Sequence, residues 1–405
     1  MDDFAVGCVY DSISKEIIAM IDNEMTIDIK DLGIISRFNG LDVSQTKLYT
    51  KISNSSYIRK IINKHPSMFR DYKPCNIPIP ISDDKTFIRS LESAIPPSTP
   101  AEQTKLQVEM EFNYRQAIGE LIFAMTTCWP DIAFLLIKLS QYSQNPAKVH
   151  YQVVISIFQY LNETIDRGIY FWRKEPNDEL PSKPLPIAYK QTHLPQHVTN
   201  DPSDTLVAMV DSDWAGDSSH RQSVTGMILK LGGGSILYKT KYQDTVALSS
   251  AEAEFAAACD TGKSILYVQS ILTQLNLDQQ EATILHIDNN GALLMGNAQQ
   301  PTRRTKHVEV KKFALLDWVE RDLLFMKRIN TSDNCADGMT KPLGKTLHYW
   351  HFDYTMGYYK PDYANNNKSQ ANRLHSHTKS ASVCNKKKVT FCSSEQGGDN
   401  IHSRH

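Results

Sequence analysis

The alternation of apolar and polar positions predicts a series of strands and helices in the second half of the chain. Strand patterns cover residues 205–211, 223–231, 235–239, 284–288 and 323–329. Helical spacing covers residues 250–275 and 307–320, and a short helix is predicted at 333–340. The order strand, strand, strand, helix, strand, helix, strand, helix is typical of a mixed sheet with helices packed on its faces. The predicted fold class is therefore α/β.

The first half of the chain predicts another α/β region, interrupted by polar segments that are rich in proline. Strand patterns at 4–10, 38–43 and 47–52 accompany helical patterns at 13–25, 114–126, 132–144 and 148–161. The proline-rich segments predict linkers or surface excursions. The predicted segments are an α/β region at 1–66, a linker or excursion at 67–110, a helical region at 111–173, a linker at 174–204, an α/β domain at 205–345 and a C-terminal extension at 346–405. The polar composition of this extension predicts disorder after about residue 363.

Composition and charge restrict the function only weakly. Lys+Arg 44 against Asp+Glu 45 leaves a formal net charge of -1, which neither favours nor excludes a nucleic-acid partner. The seven cysteines form no CxxC pair, so neither a zinc knuckle nor a disulfide framework is indicated, and a reducing intracellular setting is expected. Asp2 and Asp3 stand where a signal peptide needs basic residues. Because no apolar run is long enough to span a bilayer, we expect no membrane association.

Four acids occupy positions from which they can converge. Asp211 and Asp288 each end a predicted strand, Glu254 lies in the first turn of a predicted helix, and Asp337 lies in the short helix. Taken singly, such acids are commonly turn formers or partners of the helix dipole. Together they match what phosphodiester hydrolysis needs, because two Mg²⁺ ions about 4 Å apart, held by carboxylates, activate a water and neutralise the phosphate. We predict these four acids as the catalytic residues and metal ligands.

The segments around these acids resemble the ribonuclease H domain of copia-type (pseudovirus) long-terminal-repeat retrotransposon Pol polyproteins. The matching segments are DSDWAGD at 211–217, RQSVTG at 221–226, VALSSAEAEF at 246–255, IDNNGA at 287–292, TKHV at 305–308 and ADGMTK at 336–341. The resemblance implies a ribonuclease H-like mixed five-stranded sheet flanked by helices over 205–345.

Two of the acidic positions have alternatives. Glu252 also lies in the first helical turn, and residues two apart on a helix point about 200° apart, so Glu252 and Glu254 cannot serve equally. Glu254 is preferred because, in the nucleases that this region resembles, the catalytic glutamate precedes apolar residues. Asp213 is the alternative to Asp211, since it has the same facing parity on a strand but lies closer to the loop.

The resemblance extends upstream and implies a partial reverse-transcriptase palm and a thumb- or connection-like region. YRQAIG at 114–119 and WPDIA at 129–133 are similar to the segment that follows the polymerase palm, and KDLG at 30–33 with FNGLDV at 38–43 is similar to its closing strands. Met1-Asp2-Asp3 resembles the end of the motif that carries two polymerase metal ligands. Asp2 and Asp3 are therefore interpreted as relics of a polymerase site, and no templated synthesis is expected from this chain alone.

The resemblance also implies a reaction and its partners. The expected activity is cleavage of the RNA strand of an RNA–DNA hybrid with two Mg²⁺ ions, or with Mn²⁺, and without a small-molecule cofactor. The expected partners are the hybrid and the rest of a Pol polyprotein, in the cytoplasm within a virus-like particle or in the nucleus. Candidate phosphate contacts are Arg303, Arg304, Lys306, Lys239 and Lys241, for which a solvated surface is the alternative interpretation.

Two other functions compete with this one. The first is a catalytically silent retroelement remnant that at most binds nucleic acid, since intact acids do not by themselves establish activity. The second is a cellular repair or processing nuclease, which leaves the upstream match to polymerase segments unexplained.

Overall fold

The computed structural model describes residues 11–24, 32–78, 84–188, 205–216, 221–297 and 309–360. Several predictions fall outside these described residues, namely the strand at 4–10, the polymerase relics Asp2 and Asp3, the basic residues Arg303, Arg304 and Lys306, and the tail after residue 363. No helix among the described residues is both long and apolar enough to cross a membrane.

The first half of the chain forms a small antiparallel sheet covered by helices. Its strands, in spatial order, are β1 (Arg37–Phe38), β2 (Leu41–Gln45), β3 (Tyr49–Ser53) and β4 (Ile169–Trp172). Its helices are α1 (Asp11–Glu24), α2 (Ser55–Lys64), α3 (Asp84–Glu92), α4 (Pro100–Met110), α5 (Tyr114–Thr127), α6 (Ala133–Ser140) and α7 (Lys148–Glu163), with 3₁₀ helices at Pro66–Phe69 and Pro130–Ile132. The large side chains of Trp129 and Phe158 are fully buried in the core of this half.

Two helices replace part of the linker that composition predicts at 67–110. Helix α4 begins at Pro100, where a missing N–H costs nothing, and Thr99 and Glu102 form a reciprocal capping box. Helix α3 contributes Phe87 and Leu91 to the buried core. The prolines here therefore mark a helix start as well as turns, and composition alone does not distinguish the two uses.

The second half of the chain contains a mixed five-stranded sheet, as predicted. Its strands are β5 (Val207–Asp213), β6 (Val224–Leu231), β7 (Gly234–Tyr242), β8 (Thr283–Ile287) and β9 (Leu324–Arg328), in the spatial order β7-β6-β5-β8-β9. The pairs β5–β6 and β6–β7 are antiparallel, whereas β5–β8 and β8–β9 are parallel. Its helices are α8 (Ser250–Gln274), α9 (Asn290–Asn297), α10 (Glu309–Glu320) and α11 (Lys345–Thr355), with 3₁₀ helices at Thr331–Asp333 and Cys335–Met339.

The predicted order of elements matches the observed order, and two helices are added to it. Helix α9 follows β8 directly, within a stretch that is too short for a strong helical pattern. Helix α11 lies in the segment that the sequence assigned to the C-terminal extension, and its Phe352 and Tyr354 are buried against the 3₁₀ helix Cys335–Met339. The boundary predicted at residue 345 therefore falls at the start of a core helix.

The two halves of the chain meet at glycines whose carbonyl groups accept hydrogen bonds from Trp172 on β4. The Trp172 backbone N–H donates to the Gly232 carbonyl at 2.8 Å, and its indole N–H donates to the Gly357 carbonyl at 2.8 Å. Gly357 has φ +75°, and a Cβ there would overlap the Tyr170 carbonyl oxygen. A Cβ on Gly234 would lie 2.6 Å from the same oxygen. Glycine is therefore needed on both segments that dock against β4.

We expect Gly357→Ala to destabilise the full chain by about 2–4 kcal/mol, the sum of left-handed backbone strain and overpacking. Urea unfolding of the full chain measures this change. Two matched variants separate its causes. Gly33→Ala has φ +72° but open space around the new methyl group, so about 1 kcal/mol is expected. Gly344→Ala has φ -61° and open space, so it should be close to neutral. Equal losses for Gly357→Ala and Gly33→Ala would contradict the close approach to Tyr170.

Candidate active site

Three of the predicted acids meet at one edge of the second sheet. Carboxylate oxygens of Asp211, Glu254 and Asp288 all lie within 4.8 Å of one another. Strands β5 and β8 are adjacent and parallel, and their register pairs Met209 with His286. Asp211 and Asp288 each follow that pair by two residues and so stand level with each other. Helix α8 lies against β5 and brings Glu254 over the same edge.

The structure distinguishes the two glutamates of the first helical turns. Glu254 is 5 % exposed, and its Oε1 accepts a hydrogen bond from the Ser212 backbone N–H at 3.2 Å. Its Oε2 is buried without a hydrogen-bond partner among the described residues. Glu252 instead caps the helix: its Oε2 accepts from the Leu248 N–H at 2.8 Å, and its own N–H donates to Ser249 Oγ. Glu252 therefore has the ordinary first-turn role, and Glu254 points into the acidic cluster.

Asp337 joins the cluster from the 3₁₀ helix Cys335–Met339. Its carboxylate is buried, with Oδ2 3.0 Å from Lys341 Nζ and Oδ1 without a hydrogen-bond partner among the described residues. The same Nζ lies 4.0 Å from Asp211 Oδ2. Thr340 Oγ1 also donates to Asp211 Oδ2. Asp337 and Asp211 thus share Lys341, and the structure brings all four predicted acids to one place.

Three residues that the sequence reasoning did not single out build this part of the site. Asn334 is fully buried, its Nδ2 donates to the Val210 carbonyl at 2.9 Å, and its Oδ1 caps the 3₁₀ helix. This side chain ties the helix to β5 one residue before Asp211. Thr340 and Lys341 complete the contact from the other end of the helix. The sequence contained a signal for each of these residues. Asparagine is a common N-cap residue, and Asn334 directly precedes the helical turn that begins at Cys335. Thr340 and Lys341 lie inside the segment ADGMTK at 336–341, which resembles the Pol polyproteins.

A glycine lets the Asp337 helix approach the sheet. Gly226 on β6 pairs with Asp211 on β5, and a Cβ there would lie 2.6 Å from Met339 Cβ and 2.9 Å from the Ala336 carbonyl oxygen. Any side chain at this position would push the helix, and Asp337 with it, away from Asp211.

Asp213 and Trp214 lie at the margin of the cluster. Asp213 is partly buried and is not among the three converging acids, and its carboxylate packs against Gly216. The Trp214 side chain is 44 % exposed, and its indole N–H donates to the Ala247 carbonyl at 3.0 Å. Trp214 therefore braces the loop before α8 instead of filling the core.

Burial sets the electrostatics of the site. Desolvation, with added repulsion from Asp211 and Asp288, raises the pKa of Glu254 to about 9. Desolvation and the charge of Asp211 raise the pKa of Asp337 to about 7. Burial also raises the pKa of Asp211, although Lys341 and Thr340 oppose the shift. The cluster therefore disfavours its full negative charge unless a cation compensates it.

The donor set fits a divalent ion of the magnesium type. All four acids offer oxygen, which suits Mg²⁺ or Mn²⁺, and two of them present a buried oxygen without a partner among the described residues. Asp211, Glu254 and Asp288 have the spacing of a shared ligand set, and Asp337 stands beside Asp211.

The two described basic candidates lie away from the acids. Lys239 and Lys241 are exposed on β7, the edge strand that is separated from β5 by β6. Lys241 pairs with Asp244 at 2.9 Å. The structure thus does not bring these lysines to the acidic cluster.

The chain is similar in sequence to Pol polyproteins from transposons of two plants. It is 27 % identical over 331 residues to a retrovirus-related Pol polyprotein from transposon TNT 1-94 of Nicotiana tabacum, covering 81 % of this chain and 22 % of that polyprotein. It is 29 % identical over 233 residues to the Pol polyprotein from transposon RE1 of Arabidopsis thaliana, covering 58 % of this chain and 14 % of the relative. The homologues of this chain include copia-type Pol polyproteins of plant transposons. The chain spans about a fifth of the length of the tobacco Pol polyprotein.

The remaining comparisons concern family models and solved structures. No protein-family model matches the chain. An RNase H1 isolated from compost by a metagenomic approach is similar in structure at 12 % identity and a TM-score of 0.28, covering 34 % of this chain and 93 % of that one. The mixed five-stranded sheet with its flanking helices is the arrangement that the sequence analysis predicted for this part of the chain.

We expect Mg²⁺ to stabilise the full chain against urea, by about 2.7 kcal/mol at 100 times its Kd. Glu254→Gln should remove most of this gain, because it deletes a converging carboxylate but keeps the oxygen that accepts from Ser212. Glu252→Gln is the matched control, since glutamine can also cap the helix, and it should keep the gain. Equal behaviour of the two variants would contradict the placement of Glu254.

Proposed function

We propose that this chain hydrolyses the RNA strand of RNA–DNA hybrids at the site formed by Asp211, Glu254, Asp288 and Asp337. One observation supports this proposal above all others. Three buried or half-buried carboxylates from β5, α8 and the end of β8 converge within 4.8 Å, although their mutual repulsion opposes that arrangement in the absence of a cation. A fold gains nothing in stability from such a cluster unless it binds something positive.

The four acids would hold two divalent ions, Mg²⁺ or Mn²⁺. Bound there, such ions activate a water and neutralise the charge on the scissile phosphate. Asp211, Glu254 and Asp288 would form the shared ligand set, and Asp337, beside Asp211, would complete it.

The proposed reaction is hydrolysis of a phosphodiester bond in the RNA strand. The oxygen of water forms a new bond to phosphorus, and the bond from phosphorus to the 3′ oxygen breaks. The 3′ oxygen leaves with a proton, which gives a 3′-hydroxyl and a 5′-phosphate. The four carboxylates of this chain are already in place before the substrate arrives. The charge distribution that stabilises the transition state therefore needs no rearrangement of the protein.

Hybrid recognition is part of the same proposal. Lys239 and Lys241 present two exposed charges on β7, and the sequence adds Arg303, Arg304 and Lys306 to the proposed phosphate contacts. We further propose that the chain works in the context of a longer Pol polyprotein, in a cytoplasmic virus-like particle or in the nucleus, with residues 1–66 and 111–173 as the palm- and connection-like parts.

Cleavage of a labelled hybrid by the full chain tests this function. We expect Mg²⁺-dependent cleavage of the RNA strand, no cleavage of duplex DNA, and a loss of about 10²–10³-fold in rate for Asp288→Asn, the size typical of removing one charge-stabilising group. Asp288→Asn is nearly isosteric, and Glu252→Gln serves as a control that should keep the rate within about 3-fold.

The outcomes separate the competing functions. Tight hybrid binding without cleavage would replace the proposal with that of a silent remnant that binds nucleic acid. Cleavage that survives Asp288→Asn would show that the acidic cluster is not the catalytic site.

A further inference from the structure

Lys341 places a positive charge inside the acidic cluster. Its Nζ lies 3.0 Å from Asp337 Oδ2 and 4.0 Å from Asp211 Oδ2, so one ammonium group contacts two of the four acids. The residue lies two positions after the 3₁₀ helix that carries Asp337, which fixes its backbone next to the site.

This position conflicts with that of a bound metal ion. The oxygens that Lys341 contacts belong to the same carboxylates that would bind a divalent cation, and two like charges within a few ångströms of each other repel strongly. In the metal-free chain the contact is favourable, because the positive charge of Lys341 lowers the pKa of Asp211, Glu254 and Asp337 against the effect of burial. The acids therefore have two alternative counter-ions.

Lys341 can leave the cluster without a rearrangement of the backbone. Its side chain is 40 % exposed, in contrast to 5 % for Asp211 and 9 % for Asp337, so the route from the acids to solvent is open along the lysine stem. A flexible four-carbon stem lets the ammonium move outward while the helix stays in place. The neighbouring Thr340 also donates to Asp211, and this hydrogen bond does not involve the lysine.

We propose that Lys341 is a positioning residue that acts as the resident counter-ion of Asp211 and Asp337 and competes with divalent metal for them. Metal loading then requires the ammonium group to move toward solvent, and the lysine sets the affinity of the site for its metal. This inference rests on the metal site of the proposed function.

Titration of Mg²⁺ into the metal-free full chain, followed by calorimetry, tests the competition. Lys341→Gln should bind Mg²⁺ roughly 2- to 5-fold more tightly than wild type, the range of a partly exposed ion pair. The same variant should be less stable than wild type without metal, because its buried acids have lost their counter-charge. A purely structural lysine would lower stability but would not tighten Mg²⁺ binding.

Two further variants keep the test interpretable. Lys341→Arg retains the charge and the reach, folds without the loss of a counter-ion, and should bind Mg²⁺ no more tightly than wild type. Lys263→Gln removes an exposed lysine that pairs with Asp260 on α8, and it should leave the Mg²⁺ affinity unchanged.

Several outcomes would overturn the competition. These are unchanged or weaker Mg²⁺ binding by Lys341→Gln, tighter binding by Lys341→Arg, or no Mg²⁺ binding by the wild type. Because the titration uses no nucleic acid, its result is independent of whether the chain cleaves a hybrid. Failure of the proposed hydrolysis and failure of this inference are thus distinguished.

Discussion

The site depends on one close contact, between strand β6 at Gly226 and the 3₁₀ helix Cys335–Met339. The missing side chain at Gly226 lets the helix backbone approach the sheet directly opposite Asp211. Asn334 fixes the helix from one end through the Val210 carbonyl, and Thr340 fixes it from the other through Asp211. Without this close approach, Asp337 and Lys341 would lie away from the cluster. The other three acids would then lack both the fourth carboxylate and the positive charge of the lysine.

That contact concentrates negative charge where burial penalises it. The fold compensates with several donors: the Ser212 N–H for Glu254, the Thr340 hydroxyl for Asp211 and Lys341 for Asp337. These donors leave two buried carboxylate oxygens without partners among the described residues, so the compensation is incomplete. Incomplete compensation is what a binding site requires, because full satisfaction by the protein would remove the driving force for a metal ion.

The sequence could predict where the acids lie because that information is local. Strand patterns place Asp211 and Asp288 at strand ends, whereas the parallel pairing of β5 with β8, which brings these two ends to one sheet edge, is a property of the tertiary fold. Periodicity also shows that Glu252 and Glu254 face different ways, but which of them faces the sheet depends on how α8 packs. The contacts of Asn334 and Lys341 depend on a loop conformation that no periodic pattern encodes. The helices in 67–110 were missed for a related reason, since proline serves both helix starts and linkers.

The structural unit that supports the four acids is larger than the segment that carries them. Helix α11, beyond the predicted boundary at 345, packs Phe352 against the Asp337 helix, where Gly338 leaves room for the aromatic ring. Asp353 on the same helix pairs with Arg167 at 2.8 Å, and both of these side chains are buried. Arg167 precedes β4, whose backbone bonds reach the β6–β7 turn and the end of α11. A cut at residue 345 would therefore leave Arg167 without Asp353 and remove the packing of Phe352 behind Asp337. A cut before β5 would leave Asp353 without Arg167, and breaking such a buried pair is costly. The first half of the chain thus supports the geometry of the acids in the second half, although it contributes none of them.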